Sequence, residues 1–160
     1  MSDKIKIQLG LITILIIFAL SLVFSQKANP DFSPLWSLKR VQEKVFLKLK
    51  SNPSDKLDYM RSLLDIRLEE LNSQVNRQSY GYILPSAQRY STLAGEITDL
   101  VTANMKDKAP QVIDQFQSHL KVLQQIYVIY PKNTDNLEYK YIEDDINYLK
   151  IYLDKLLQIK

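Results

Sequence analysis

The chain reads as all-α, an N-terminal transmembrane helix followed by an antiparallel up-down bundle of four to five helices, and three observations predict this. An uncharged apolar run extends from Ile7 to Phe24. Beyond it, apolar residues recur in steps of three and four, the period of a helix that buries one face. Only three glycines occur in 160 residues, too few for the tight turns of a β-rich fold.

The run holds eighteen residues, which at about 1.5 Å each cover roughly 27 Å, close to the roughly 30 Å hydrocarbon core of a bilayer. Lys4 and Lys6 precede it, so the positive-inside rule keeps residues 1–6 cytoplasmic and sends the rest of the chain across. A cleaved signal is the alternative, which would leave the protein secreted. Signal cores run roughly 7 to 15 residues, however, and need small residues at the cut. Val23-Phe24-Ser25 meets that need loosely, and a cut after Ala28 would place Gln26 at −3. A pilin-like start is excluded, because the fifth residue counted from Gly10 is Leu15 and not Glu. The retained reading is a single-pass anchor over 7–24, a linker over 25–33 and an extracytoplasmic bundle over 34–160.

Prolines mark the helix starts, since proline suits the first helical turn. The first helix is expected from Pro34 to Lys50, capped by Ser33, with Leu38, Val41, Val45 and Leu49 on one face. The second runs from Pro53 to Gln78, capped by Asn52, with the stripe Leu57, Met60, Leu64, Leu68, Leu71 and Val75. The third, Ser86 to Lys106, carries Tyr90, Leu93, Ile97, Leu100 and Val101. The fourth, Pro110 to Tyr130, shows Ile113, Phe116, Leu120, Leu123, Tyr127 and Tyr130, and the fifth, Asp135 to Gln158, shows Ile142, Ile146, Leu149, Leu153 and Leu156. Short links make sequential neighbours antiparallel, so helices two to five form the bundle and helix one packs across it near the membrane. The spacing on the last two helices also suits pairing between two copies of the chain.

Chemistry is sparse. No cysteine is present, which removes disulfides, thiolate nucleophiles and thiolate metal sites. From Asp31 onward 130 residues remain, enough for one core held by packing alone. The single histidine, His119, sits next to Leu120 with Phe116 three residues before it. The Glu-x-x-His pairing of di-iron bundles is therefore missing, and His119 reads as a surface residue. Glu143-Asp144-Asp145 point in different directions on a helix and read as solvated charge. With no nucleophile elbow and no glycine-rich phosphate loop, no enzyme and no cofactor is expected.

Charge is uneven. Pro34 to Lys50 holds five basic residues against Glu43, a net +4, whereas Ser51 to Lys160 holds thirteen basic against fifteen acidic. A basic amphipathic helix beside a bilayer attracts anionic headgroups, which makes Lys39, Arg40, Lys44 and Lys48 candidate contacts with the membrane or a partner. Trp36 joins them as an aromatic suited to the membrane interface. Nucleic acid is not expected outside the cytoplasm. Ten tyrosines are present; Tyr80 and Tyr82 flank Gly81 in the longest interhelical loop and could stack on a glycan or dock a partner.

The phrase Ser33-Pro34-Leu35-Trp36-Ser37-Leu38-Lys39-Arg40 resembles the G-S-P-L-Y-P-L-K-R signature of an uncharacterised bacterial exported or membrane-anchored domain of unknown function. Trp36 stands for the aromatic, Ser37 departs from the second proline, and Arg67-Leu68-Glu69-Glu70-Leu71 resembles the Leu, Arg and Glu-rich helix that follows. The resemblance covers about residues 30–71 and implies the location and helical fold, without an activity. Together these features describe a non-catalytic, membrane-anchored interaction module of a bacterial envelope, facing the membrane or another envelope protein. The alternative is a ligand-binding or sensing module for a glycan, lipid or small apolar molecule, using loop tyrosines or a cleft between helices.

Overall fold

A computed structural model describes residues 3–25, 28, 35–132 and 137–159, with the side chains of the first helix described in part. Among these residues every regular element is a helix: α1 (Asp3–Ser25), α2 (Trp36–Leu49), α3 (Pro53–Asn76), α4 (Ile83–Asn104), α5 (Ala109–Ile129) and α6 (Tyr139–Leu157), with 3₁₀ turns at Tyr80–Tyr82 and Lys106–Lys108. They fall into two compact units, residues 1–49 and 50–160.

In the first unit, α1 contains the whole apolar run as one helix. Among the described residues no helix is long and apolar enough to cross a membrane. The described side chains of α1 nevertheless expose Ile12, Ile14, Ile16, Ile17, Phe18, Leu20 and Val23. Because Ile16, Ile17 and Phe18 are consecutive, they point in three directions about 100° apart, so apolar surface is open on several sides. The chain then doubles back, and Ser25 Oγ lies 2.9 Å from Gln42 Oε1 while Lys39 Nζ donates to the Ala28 carbonyl at 3.2 Å. Ser33, the expected cap of α2, lies outside the described residues.

The second unit is the four-helix bundle. Asn52 caps α3 as its sequence position predicts, its side chain accepting from the Ser54 amide at 2.9 Å. The α3 stripe from Leu57 to Val75 and the α6 stripe from Ile142 to Leu156 are buried throughout. At the end of α3 the chain turns without a glycine. Gln78 adopts φ 59, the Ser79 amide donates to the Gln74 carbonyl, and the Gln78 amide donates to the Val75 carbonyl, which is a Schellman closure.

The helix directions alternate as expected, but the arrangement differs in one respect. Gln74 meets Ser86, so α3 and α4 are antiparallel. Tyr127 and Tyr130 both meet Tyr139, so α5 and α6 are antiparallel. Arg61 meets Gln115 while Tyr80 meets Tyr130, so α3 and α5 run parallel. Gly95 faces Tyr152 while Asp99 meets Lys155, so α4 and α6 are also parallel. Two antiparallel hairpins therefore lie side by side, and the sequential pair α4 and α5 faces across the diagonal, joined through the turn Lys106–Lys108.

The phase of α5 also differs from the expected one. Its buried line is Ala109, Val112, Phe116, His119, Leu123, Ile126 and then Tyr130, a strict three-four repeat that places His119 in the core. Ile113, Leu120 and Tyr127 are only half-buried. Two small residues and a polar one occupy the inward positions, which left the outer apolar residues as the more visible stripe.

Candidate functional site

His119 is a correction to the surface reading: it is 6% exposed and bonded at both ring nitrogens. Nε2 lies 2.8 Å from Asp65 Oδ1 on α3, and Nδ1 lies 3.1 Å from Tyr90 Oη on α4. An ionised aspartate can only accept, so the ring proton belongs on Nε2, and Nδ1 accepts from the Tyr90 hydroxyl. Burial lowers the His119 pKa despite Asp65, and burial followed by the charges of Asp145 and Asp65 holds the Tyr90 phenol well above its usual range. Gln115 Nε2 also donates to Asp65 Oδ1. Arg61 reaches Gln111 and Gln115 from α3, so long polar side chains fill the seam between α3 and α5.

Asp145 is the second correction. It does not share the solvated face of Glu143 and Asp144 but turns inward at 2% exposure, and its Oδ2 has no hydrogen-bond partner. Burial, against a weaker opposing hydrogen bond from Ser91, raises its pKa from 3.8 to about 8. At neutral pH it is mostly a neutral acid, because an uncompensated charge is costly at such a position.

Asp145 is among the residues that line a groove of about 600 Å³ between α4 and α6. The α4 wall is built from Leu84, Ala87, Gln88, Ser91 and Thr92, residues three and four apart along one side of the helix. The α6 wall carries Tyr141, Tyr148 and Tyr152 with Asp144. Gly95 makes room for the tyrosines: a Cβ there would sit 2.9 Å from Tyr152 Oη and 3.2 Å from its Cζ. Tyr148 and Tyr152 stack with centroids 6.3 Å apart and planes at 18°. The size falls within the roughly 300–1,000 Å³ of small-molecule sites. Among the described residues two acidic and no basic side chains line it, in a chain whose formal net charge is +3.

The residues singled out from sequence lie elsewhere. Tyr80 packs on Tyr130 with centroids 4.8 Å apart, and Tyr130 in turn meets Tyr139, so Tyr80 helps close one end of the bundle. Tyr82 is 45% exposed. Trp36 is half-buried beneath the Arg40 guanidinium, which sits 4.9 Å from its ring centroid. Lys39 is buried against the Ala28 carbonyl and leaves the basic face to Arg40, Lys44 and Lys48, which are exposed. Among the described residues no group of three or more His, Asp or Glu side chains could hold a metal ion.

The groove escaped the sequence reading because α4 and α6 are not consecutive, so their pairing has no local signature. The small residues Ala87, Ser91 and Gly95 at helical spacing were the visible half of the signal. Compared with protein-family models, curated proteins and solved structures, the chain finds no match, so the Ser33 to Arg40 resemblance assigns no family.

Proposed function

We propose that the chain is a non-catalytic ligand-binding module of a bacterial envelope, anchored by α1 and holding its bundle outside the cytoplasm. The observation that carries this reading is the tyrosine-lined groove between α4 and α6, whose lining includes Asp145 with its buried, unpartnered Oδ2. A folded domain retains such an acid at a stability cost, and a ligand group that meets it offsets that cost. Anchoring is supported by the eighteen uncharged residues inside one helix and by the open apolar surface of α1. A non-catalytic role is supported by the full burial of the phenol on which the Asp65–His119–Tyr90 chain ends.

A second reading, contact with the membrane surface or another envelope protein through α2, is favoured by one observation. Val41, Val45, Phe46 and Leu49 form an exposed apolar stripe beside Arg40, Lys44 and Lys48, the composition of an interfacial helix.

Native mass spectrometry of the full chain, extracted from its own membranes in maltoside detergent, tests the ligand reading. A small molecule should co-purify with the natural sequence and be lost from Tyr148→Ala; identical spectra for the two proteins would overturn it. Because the chain has no cysteine, Glu96→Cys provides one unique exposed thiol for the topology. An impermeant maleimide should label it in intact cells, with the protein in the membrane fraction.

A further inference from the structure

From the groove between α4 and α6 we infer a binding site for an organic ammonium ion, held between the tyrosine faces of α6 and the carboxyl of Asp145. The inference rests on the ligand-binding reading above and adds the chemical class of the ligand. Four observations favour a cation. Asp145 is buried with Oδ2 unsatisfied. Asp144 stands beside it on the same wall, and among the described residues no basic side chain lines the groove; the nearby Lys155 is engaged by Asp99 at 2.7 Å. Tyr141, Tyr148 and Tyr152 bring three electron-rich rings to one wall, and such rings attract ammonium groups more strongly once water is excluded. An anion would meet two acids and no donor of positive charge, and would be repelled.

Binding exchanges one cation for one proton. In the free protein Asp145 is mostly protonated, since burial places its pKa at about 8. An ammonium ion in the groove favours the carboxylate, so the proton leaves to solvent as the ion enters. The titratable groups around Asp145 are Tyr90 of α4 and Tyr141, Asp144, Tyr148 and Tyr152 of α6, with His119 of α5 reaching Tyr90 from the opposite side. Tyr90 and Tyr152 stay protonated well above neutrality, and the His119 pKa is lowered by burial, so Asp145 is the group that changes charge across pH 7 to 9. Linkage then gives the sign: cation affinity rises with pH up to about 8 and levels above it. A neutral ligand that accepts a hydrogen bond from the protonated acid would show the opposite slope.

Isothermal titration of the full chain in phosphatidylglycerol nanodiscs tests this, with choline and spermidine as probes and 3,3-dimethyl-1-butanol as the neutral isostere of choline. The expected result is binding of at least one amine, tightening by close to tenfold per pH unit between about pH 6 and 7.5. Release of about one proton near pH 6.5 should accompany it, read from the dependence of the heat on buffer. The isostere should bind at least about tenfold more weakly. Asp145→Asn should abolish the pH dependence and weaken amine binding, and Tyr148→Ala, at an exposed ring, should weaken it while leaving the melting temperature in place. Repeating the choline titration in phosphatidylcholine nanodiscs separates the source: weaker apparent affinity there marks a lipid headgroup as the competing occupant, and unchanged affinity a soluble amine. If the isostere binds as well as choline and loosens as pH rises, the groove remains a binding site and the ammonium class is wrong. If no amine binds at millimolar concentration, the inference fails, whatever mass spectrometry finds in the groove.

Discussion

His119 Nε2 and Asp65 Oδ1 lie 2.8 Å apart, and this contact fixes the imidazole so that its other nitrogen can accept from Tyr90 across the diagonal of the bundle. Three helices are thereby joined through one buried imidazole. Replacing the ring by alanine leaves a cavity and strands the Tyr90 hydroxyl. His119→Ala should therefore cost on the order of 2–4 kcal/mol, measured by denaturant unfolding at pH 7.5.

The same residue gives an acid dependence. Burial lowers its folded pKa below the unfolded value of 6.5, so the unfolded chain binds the extra proton. Stability is then complete above about pH 6.5 and declines as pH falls through the lowered folded value. His119→Leu should flatten that part of the profile, and an unchanged slope would remove His119 as its source.

Asp145 works in the opposite sense. Its folded pKa of about 8 exceeds the unfolded 3.8, so the native state binds more protons between these values and stability decreases as pH rises across that window. Asp145→Asn keeps the shape without the charge. It should melt close to the natural sequence at pH 4 and above it at pH 8.5, by an amount on the order of a few kcal/mol.

The inward line of α5 is testable by contrast. Phe116 is fully buried, whereas Leu120 is half-buried. Phe116→Ala should cost about 3–5 kcal/mol, and Leu120→Ala clearly less. Equal losses would restore the phase read from the apolar residues alone.

Gln78 holds a left-handed conformation, φ 59, at the end of α3. A glycine there relieves the side-chain clash of that conformation at some entropic cost. Gln78→Gly should raise stability by about 0.5–1 kcal/mol in thermal unfolding.

How legible the fold was depended on what occupies the inward positions. On α3 and α6 large aliphatic residues fill most of them, and the stripes from Leu57 to Val75 and from Ile142 to Leu156 could be read directly. The polar members of the core could not. Arg67 is buried with Glu70, Nη1 lying 2.9 Å from both carboxylate oxygens, and Gln74 is buried against Ser86. These side chains look like surface residues until a partner on the same or the next helix is known. His119 and Asp145 belong to this group, and so the candidate site was missed. The end of α3 was read to within two residues, at Gln78, although its closure uses that residue where glycine is the usual signal. The α4 and α6 pairing is a choice between two ways of packing two hairpins, which helix periodicity does not distinguish.

Ammonium binding requires Asp145 to be a neutral buried acid in the free protein, on the lining of the groove between α4 and α6. Its side-chain carboxyl carbon can be followed by ¹³C NMR on selectively labelled protein, assigned by the signal lost in Asp145→Asn. An apparent pKa near 8, shifting downward when choline or spermidine is added, is the result predicted. Titration near 4, with no response to either amine, would contradict it.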